Sequence, residues 1–568
     1  MARKWWTLIA VCTGTFMLLL DITVVNVALP DIQKSLHASF ADLQWVVDAY
    51  ALSLAAFLLT AGVVGDMVGR RRVYATGVVI FSLSSLACGL STTPLMLNLA
   101  RGVQGVGGAI MFATSLALIA QAFVGRERGT AFGIYGAVLG GAVAVGPLLG
   151  GAITSGIGWR WIFFINLPLG VFAIVVCLAK VEDSADPTPR RIDWIGFVTF
   201  SLSLFMLVYA LVQGNAKGWH SRTIEGLLLG SAGLMLVFVL AELLQRDPML
   251  DLSLFKRPAM VGVSLAAFTL SASIFAMFLY LTLYLQEVLG YGPFAAGIRF
   301  LPVTMLAFLV APVAGKLTVR VQQRYLFGLG LLFVALGCEL MTHLRATSTW
   351  TVLLPGFICA GIGVGITNPV LASATVSVVP PERAGMATGA TSTFRQVGIS
   401  TGIAGLGAIF LNQIRPATVH ALAAAPDGAA VLAHSSGLTA AISGGGIRAA
   451  AASLPAGAPR ATLITAYRVG FTSTFNHLMI IAAVIAFVGA VGALILVRQR
   501  DFVPSVSAED QDHRAPAPPD AAPPAVRRPR HAHSKRRRRR GARGLDPRTP
   551  RAAPGHARPP AGATTDAG

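Results

Sequence analysis

Apolar residues along this chain come in repeated runs of about 18 or more, separated by short gaps that hold most of the charge. Fourteen runs can be drawn, at about 7–29, 44–65, 73–92, 95–121, 131–154, 162–180, 193–213, 224–243, 259–286, 295–315, 323–343, 351–379, 386–412 and 474–497. A hydrocarbon core about 30 Å thick is crossed by about 20 residues of helix. Each run therefore predicts a transmembrane helix, and the chain as a whole predicts an all-α polytopic membrane protein with 14 spans. Gly, Ser and Thr are frequent in the fourth, fifth, twelfth and thirteenth runs. Small residues let helices approach closely in lipid, where no hydrophobic force drives them together.

An even number of spans puts both termini on one side. The loops on that side carry fifteen Lys and Arg, and the short loops opposite carry five: Lys34, Arg160, Lys217, Arg222 and Arg345. Basic residues are retained in the cytoplasm, so both termini are expected there. A repeat supports two related halves. GRERGTAFG (125–133) and PPERAGMATG (380–389) each follow a glycine-rich helix, and an offset near 255 residues aligns Glu127-Arg128 with Glu382-Arg383. Many secondary transporters are built from such repeats, with the substrate between them.

Composition sharpens the class. Of 568 residues, 54% are hydrophobic and 12% charged, against about a quarter charged in soluble domains. The net charge of +20 divides into about +7 in the tail from residue 501 and about +13 in the membrane body. That tail, 501–568, is rich in Pro, Ala and Arg and includes SKRRRRR (534–540), a composition that predicts disorder in the cytoplasm. It reads as a basic segment at anionic headgroups, with no specific nucleic-acid partner. The stretch 413–473, rich in Ala and Gly, reads as a long external loop. All five cysteines lie in apolar segments without CxxC spacing, which points to small buried hydrophobes. The N-terminal apolar run lacks a small-residue cleavage site and reads as a retained first helix.

The gap after the second run reads GVVGDMVGRRR (62–72), an Asp and three arginines between two apolar segments. It is either a solvated, orienting turn or a built device. Gly62, Asp66, Gly69, Arg70 and Arg71 resemble the signature loop of the major facilitator superfamily, with Met67 where that family usually has a basic residue. LLLDITVVNVALP (18–30), LARGVQGVGGA (99–109) and GPLLGG (146–151) resemble its drug:proton antiporter signatures in the first, fourth and fifth helices. WRWIFFINLPLG (159–170), DLSLFKRP (251–258) and FRQVGISTG (394–402) resemble the fourteen-spanning branch in particular. The resemblance covers about 1–412 and 474–497. It implies the major facilitator fold: six-helix halves at 1–180 and 259–500, with two additional helices in 181–258.

Within that frame, Asp21 and Arg101 are charges inside spans. A charge there costs at least about 2.5–3.5 kcal/mol on insertion scales, so it faces a cavity or a partner. Burial opposes the charged form of a carboxylate and a nearby guanidinium favours it, so motion between states could load and unload a proton. Asp21 is the candidate proton carrier and Arg101 the residue that tunes it. A static ion pair is the alternative. Gln104, one turn from Arg101, is placed to bond it. Gln104, Asn26, Phe275, Phe278, Tyr284, Arg395 and Gln396 are candidate cavity residues, although polar glue or core packing would account for several. Asp48 reads as a solvated acid at the start of the second helix, and Glu287 and Glu339 as interfacial. Scarce acids in the later helices favour neutral, anionic or singly charged substrates.

In the fifth helix Gly146-Pro147 interrupts the backbone ladder, and Gly150 and Gly151 permit close approach to another helix. By resemblance this bend marks exporters and seals the interface between halves, with Ala142 where one glycine of the pattern is expected. The loop at 62–72 would then be a gate, Asp66 holding the start of the thirteenth helix just after Glu382 and Arg383 on the cytoplasmic side.

No GxxxxGK[ST] loop points to an ATP-driven pump, and no HExxH, Cys-His cluster or suitably placed GxSxG points to an enzyme. The resemblance implies a secondary antiporter in the cytoplasmic membrane of a bacterium, exporting lipophilic drugs or antibiotics. It would be driven by the proton gradient without a cofactor, and would act as a monomer. An importer or facilitator on the same scaffold is the runner-up.

Overall fold

The computed structural model describes residues 3–123, 125–182, 192–245, 248, 250–318, 320–379, 384–433 and 459–502. Fourteen described helices are long and apolar enough to cross a membrane. They are α1 (Arg3–Leu36), α2 (Phe40–Gly65), α3 (Arg70–Gly89), α4 (Pro94–Ala122), α5 (Ile134–Gly156), α6 (Trp161–Lys180) and α7 (Trp194–Lys217). The rest are α8 (Arg222–Leu244), α9 (Pro258–Val288), α10 (Pro293–Leu317), α11 (Gln323–Leu340), α12 (Trp350–Ser377), α13 (Met386–Ala423) and α14 (Arg460–Leu496). No strand occurs among the described residues.

Local chemistry sets the ends. Ser39 caps α2 in a capping box: its hydroxyl accepts from the Asp42 N–H at 3.2 Å, and the Asp42 carboxylate accepts from the Ser39 N–H at 2.8 Å. Thr93 caps α4 ahead of Pro94, and Pro293 opens α10 at its first turn. The helix of α2 runs on to Val68, and Gly69 ends it with φ +115°, a conformation that a side chain would strain.

Helices α1–α6 pack mainly on one another, as do α9–α14; α5 against α10, α2 against α13 and α1 against α9 join the two sets. The repeat read from the sequence has a packing basis. Glycine-rich α4 wedges between α2 and α3, and α12 wedges between α10 and α11. A Cβ on Gly107 would sit 2.6 Å from the Phe81 backbone of α3. Cβ atoms on Gly361 and Gly365 would meet the α10 carbonyls of Val303 and Ala307 at 2.6 and 2.8 Å. Neither helix could wedge there with larger residues.

The two additional helices pair as α7 and α8, and α7 lies against both α2 and α13. Its Leu204, Val208 and Val212 share an apolar cluster with Leu52 and Ala55 of α2 and Ala404 of α13. Asn215 donates to the Ala408 carbonyl at 2.6 Å. On α8, Leu229, Leu243 and Leu244 are exposed, as lipid-facing leucines are.

Two expectations change. The region 413–473 is largely helical where it is described: α13 runs on to Ala423, a short helix spans Gly428–Ala433, and α14 begins at Arg460. Alanine-rich sequence sustains helix beyond the apolar run, and the extension packs, since a Cβ on Gly470 of α14 would meet the Thr418 backbone N at 2.8 Å. Gly62 lies inside helix rather than in a turn, with no neighbour within 4 Å of a Cβ placed there; the close approach falls at Gly65, against Thr114 at 2.8 Å. Gly62→Ala is therefore expected to leave transport within about twofold of wild type and to raise helix stability by about 0.5–1 kcal/mol. Gly65→Val, by contrast, lowers the melting temperature of the purified protein.

Candidate functional site

Asp21 and Arg101 meet inside the α1–α6 bundle. The guanidinium NH1 lies 2.5 Å from Asp21 Oδ2, and both side chains are about 1% exposed or less. Arg101 also donates to Gln104 Oε1 at 2.8 Å and through Nε to the Val46 carbonyl at 2.9 Å. Its Cζ sits 4.2 Å above the Tyr50 ring. The second oxygen of Asp21 accepts from Gln104 Nε2 at 2.9 Å and from Asn166 Nδ2 at 3.1 Å. Asn166 donates on to Ser85 Oγ at 3.0 Å, and Ser85 to the Phe163 carbonyl at 2.9 Å. Five helices (α1, α2, α3, α4 and α6) thus contribute to the network, and α4 and α6 bond the α1 carboxylate directly. An ion pair this buried persists only when its remaining hydrogen-bond capacity is met, and the network supplies that.

Gln104 belongs to this network and is fully buried, so it does not line a substrate cavity. Tyr284 is likewise fully buried, its ring stacked on Phe475 of α14 at 5.1 Å, and it too leaves the cavity set. Asn26, Phe275, Phe278, Arg395 and Gln396 remain partly exposed. Asn26 donates to the Ile22 carbonyl of its own helix at 3.1 Å.

Asp48 overturns the reading of a solvated acid. Capping at Ser39 starts α2 before the predicted edge, which carries Asp48 about two turns deep. It is fully buried, and neither carboxylate oxygen has a hydrogen-bond partner among the described residues. Gln44, one turn earlier on the same face, donates to the Ile403 carbonyl of α13 at 3.0 Å, as Tyr280 of α9 does at 2.9 Å. Asp48 therefore lies on the seam between the two bundles. Glu339 is exposed, whereas Glu287 is 7% exposed and pairs with Lys34 of α1 at 3.2 Å.

The contacts that join the bundles are dense at the end away from the termini. Besides Lys34–Glu287, Gln286 donates to the Val27 carbonyl at 2.7 Å, and Phe40 of α2 stacks on Phe410 of α13 at 5.1 Å. Two turns of α9, Ser271–Phe275 and Tyr284–Val288, are π-helical. The wider turn resets the helical register, and Gln286 and Glu287 fall on it. On the α5–α10 seam the glycines have separate partners. Gly146 and Gly150 press on Thr23 and Val24 of α1, while Gly151 presses on Pro293 and Phe294 of α10. The Pro147 carbonyl meets Gly297 of α10, and Ser155 Oγ accepts from the Phe294 N–H at 3.0 Å. Ala142 is buried.

At the terminal end Arg71 donates to the Val181 carbonyl at 3.2 Å, and Lys4 pairs with Glu127 at 2.6 Å. Gly69, Arg70 and Arg71 lie at the junction of α2 and α3, and Gly62 lies inside α2. The Asp66 side chain, Glu382 and Arg383 lie outside the described residues. A Cβ on Gly389, early in α13, would meet Leu59 of α2 at 2.7 Å, which puts these two helices in contact near that end.

Asn166, Tyr50 and Ser85 were not singled out from the sequence. An uncharged amide in WRWIFFINLPLG carries no sign of its partner, and only the approach of α6 to α1 reveals it.

Two helical bundles of six spans, joined along three seams, the first bundle enclosing a buried charge network, define a multi-pass membrane transporter scaffold. The family profile of the Major Facilitator Superfamily matches residues 11–403, and the chain belongs to that superfamily. It is 38% identical over 405 residues to the multidrug resistance protein Stp of Mycobacterium tuberculosis (strain ATCC 25618 / H37Rv), covering 71% of this chain and 75% of that protein. It is 36% identical to the puromycin resistance protein pur8 of Streptomyces alboniger, covering 71% and 81%. It is 35% identical to the tetracenomycin C resistance and export protein of Streptomyces glaucescens, covering 72% and 77%. The solved structure of a bacterial homologue of the human lysosomal transporter Spinster, inward-facing and unoccupied, shares the fold at a TM-score of 0.57. Identity there is 19%, covering 88% of this chain and 99% of that one.

Proposed function

We propose that this transporter is a proton-driven antiporter that exports lipophilic small molecules, antibiotics among them, across the cytoplasmic membrane of a bacterium. The observation that carries the coupling is Asp21, a carboxylate inside a span of α1 whose bonds come from two other helices, Arg101 and Gln104 of α4 and Asn166 of α6. A shift of α4 or α6 relative to α1 changes the company of this one group, and with it the balance between its charged and neutral forms. The relatives' names support export of drugs. The excess of basic residues in the loops beside the termini supports a cytoplasmic location for both ends.

Transport is tested by accumulation. Energised cells producing the protein should hold less of at least one compound from a panel of chemically diverse antibiotics and dyes, and a protonophore should restore the level. Unchanged accumulation of every compound overturns export, and raised accumulation makes the protein an importer.

The loop at 62–72 serves as the cytoplasmic gate in this reading. Asp66 would supply an anion to the positive end of α13, which follows Glu382 and Arg383 in sequence, and Gly69 supplies the turn. Asp66→Ala is expected to cut the export rate about tenfold or more, while Met67→Arg keeps it. Full export by Asp66→Ala, at wild-type protein levels, reduces the loop to a topology anchor.

A further inference from the structure

Among the described residues, two charges inside the membrane body stand without a hydrogen bond or ion pair to balance them: the acid Asp48 and the base Arg395. Asp21 has Arg101 and Glu287 has Lys34. Arg395, nine residues into α13, makes no hydrogen bond or ion pair with any described residue, and its Nε is buried without a partner. A lone guanidinium at this depth costs several kcal/mol unless something else compensates it. The contact it does make is aromatic: its Cζ lies 5.9 Å from the centre of the Phe275 ring. Phe275 and Phe278 are neighbours at 6.0 Å, and Phe278 meets Phe300 of α10 at 5.4 Å.

Where the group points follows from the packing. Helix α13 is surrounded by α2, α7, α9, α12 and α14. A partly exposed residue nine positions into it therefore opens on the interior of the body rather than on lipid. Arg395, Gln396, Phe275 and Phe278 are all partly exposed. The arrangement is an unneutralised planar cation beside half-covered aromatic faces.

We propose that Arg395 is a substrate-recognition residue that selects compounds bearing one negative charge on an aromatic body, an aryl carboxylate or a phenolate. The anion takes the open edge of the guanidinium, and the ring lies against Phe275 and Phe278. A guanidinium offers planar, paired donors to an oxyanion and can stack at the same time, which an ammonium cannot. The inference rests on the transport reading, because it makes this interior space the substrate site.

The test uses the purified full-length protein in lipid nanodiscs and a matched pair of probes, anthracene-9-carboxylate and its methyl ester. The two share one ring and differ by one charge. Wild type should bind the carboxylate at least about tenfold more tightly than the ester, a difference of about 1.4 kcal/mol. Arg395→Met should bring the carboxylate down to the ester's affinity and leave the ester unchanged. Arg395→Lys should keep part of the preference, and Phe275→Leu should weaken both probes together. Equal binding of acid and ester by wild type overturns the proposal. So does a preference that survives in Arg395→Met, or an equal loss of both probes in that variant. If Arg395→Met fails to fold, Arg395→Gln and Arg395→Lys carry the comparison. Proton-driven movement of the carboxylate in everted vesicles is scored separately. Charge-selective binding without movement sinks the transport reading and leaves the recognition in place.

Discussion

Asp21→Asn is expected to abolish proton-driven export, with the rate in everted vesicles falling about 100-fold at matched protein levels. The substitution removes the titratable group and also turns one acceptor into a donor. One oxygen of Asp21 accepts from Gln104 and Asn166, and the other from Arg101. An amide in its place turns an NH2 toward one of these donors and leaves the Arg101 guanidinium buried without its counter-charge. Breaking a buried pair in this way costs about 3–5 kcal/mol, so the yield of folded protein should fall as well. Asp21→Glu separates the two effects, because it keeps the charge and alters the reach. Protein with folded Asp21→Asn that still exports at the wild-type rate under a pH gradient would remove Asp21 from the coupling.

Gly151→Leu is expected to hold the far end of the molecule open and stop turnover, again by about 100-fold. A Cβ at this position would lie 2.6 Å from the Pro293 carbonyl oxygen and 2.9 Å from the Phe294 Cα. Both are backbone atoms at the start of α10, and they cannot turn aside as a side chain can. The strain falls on a seam between bundles rather than within one, so each bundle can stay folded while the seam parts. A cysteine placed at Gln286, which bonds Val27 across the same end, reports the result. It should resist a membrane-impermeant maleimide in an otherwise wild-type protein and react in the Gly151→Leu background. Unchanged transport would show that the seam does not need to close this tightly.

The spans were legible because a bilayer imposes a length that sequence records directly; thirteen gaps follow from where the apolar runs stop. The ends were less legible. Capping at Ser39 and the alanine-sustained turns after 412 lie outside hydropathy, and the first of these misplaced Asp48. The Asp21–Arg101 pair could be read from two charges in apolar surroundings, and Gln104 from its spacing to Arg101. Asn166, Tyr50 and Ser85 could not, since uncharged residues show no excess cost that needs a partner. The glycines of the fifth helix were readable as contact points, but which helix each one meets depends on the angle at which α5 crosses α1 and α10. The π-helical turns of α9 leave no mark in composition.

The position of α7 makes the two long seams unequal. Between α2 and α13 it lies along the outside, its leucines and valines filling the crease and Asn215 tying it to α13. The α5–α10 seam has no such cover among the described helices. A greasy molecule dissolved in one leaflet and drifting sideways toward the protein meets a wall on the first flank and a door frame on the second. For the proposed export of lipophilic compounds, a substrate entering from the bilayer would therefore be expected at the α5–α10 flank, and what α5 and α10 show to the lipid would help decide which compounds arrive.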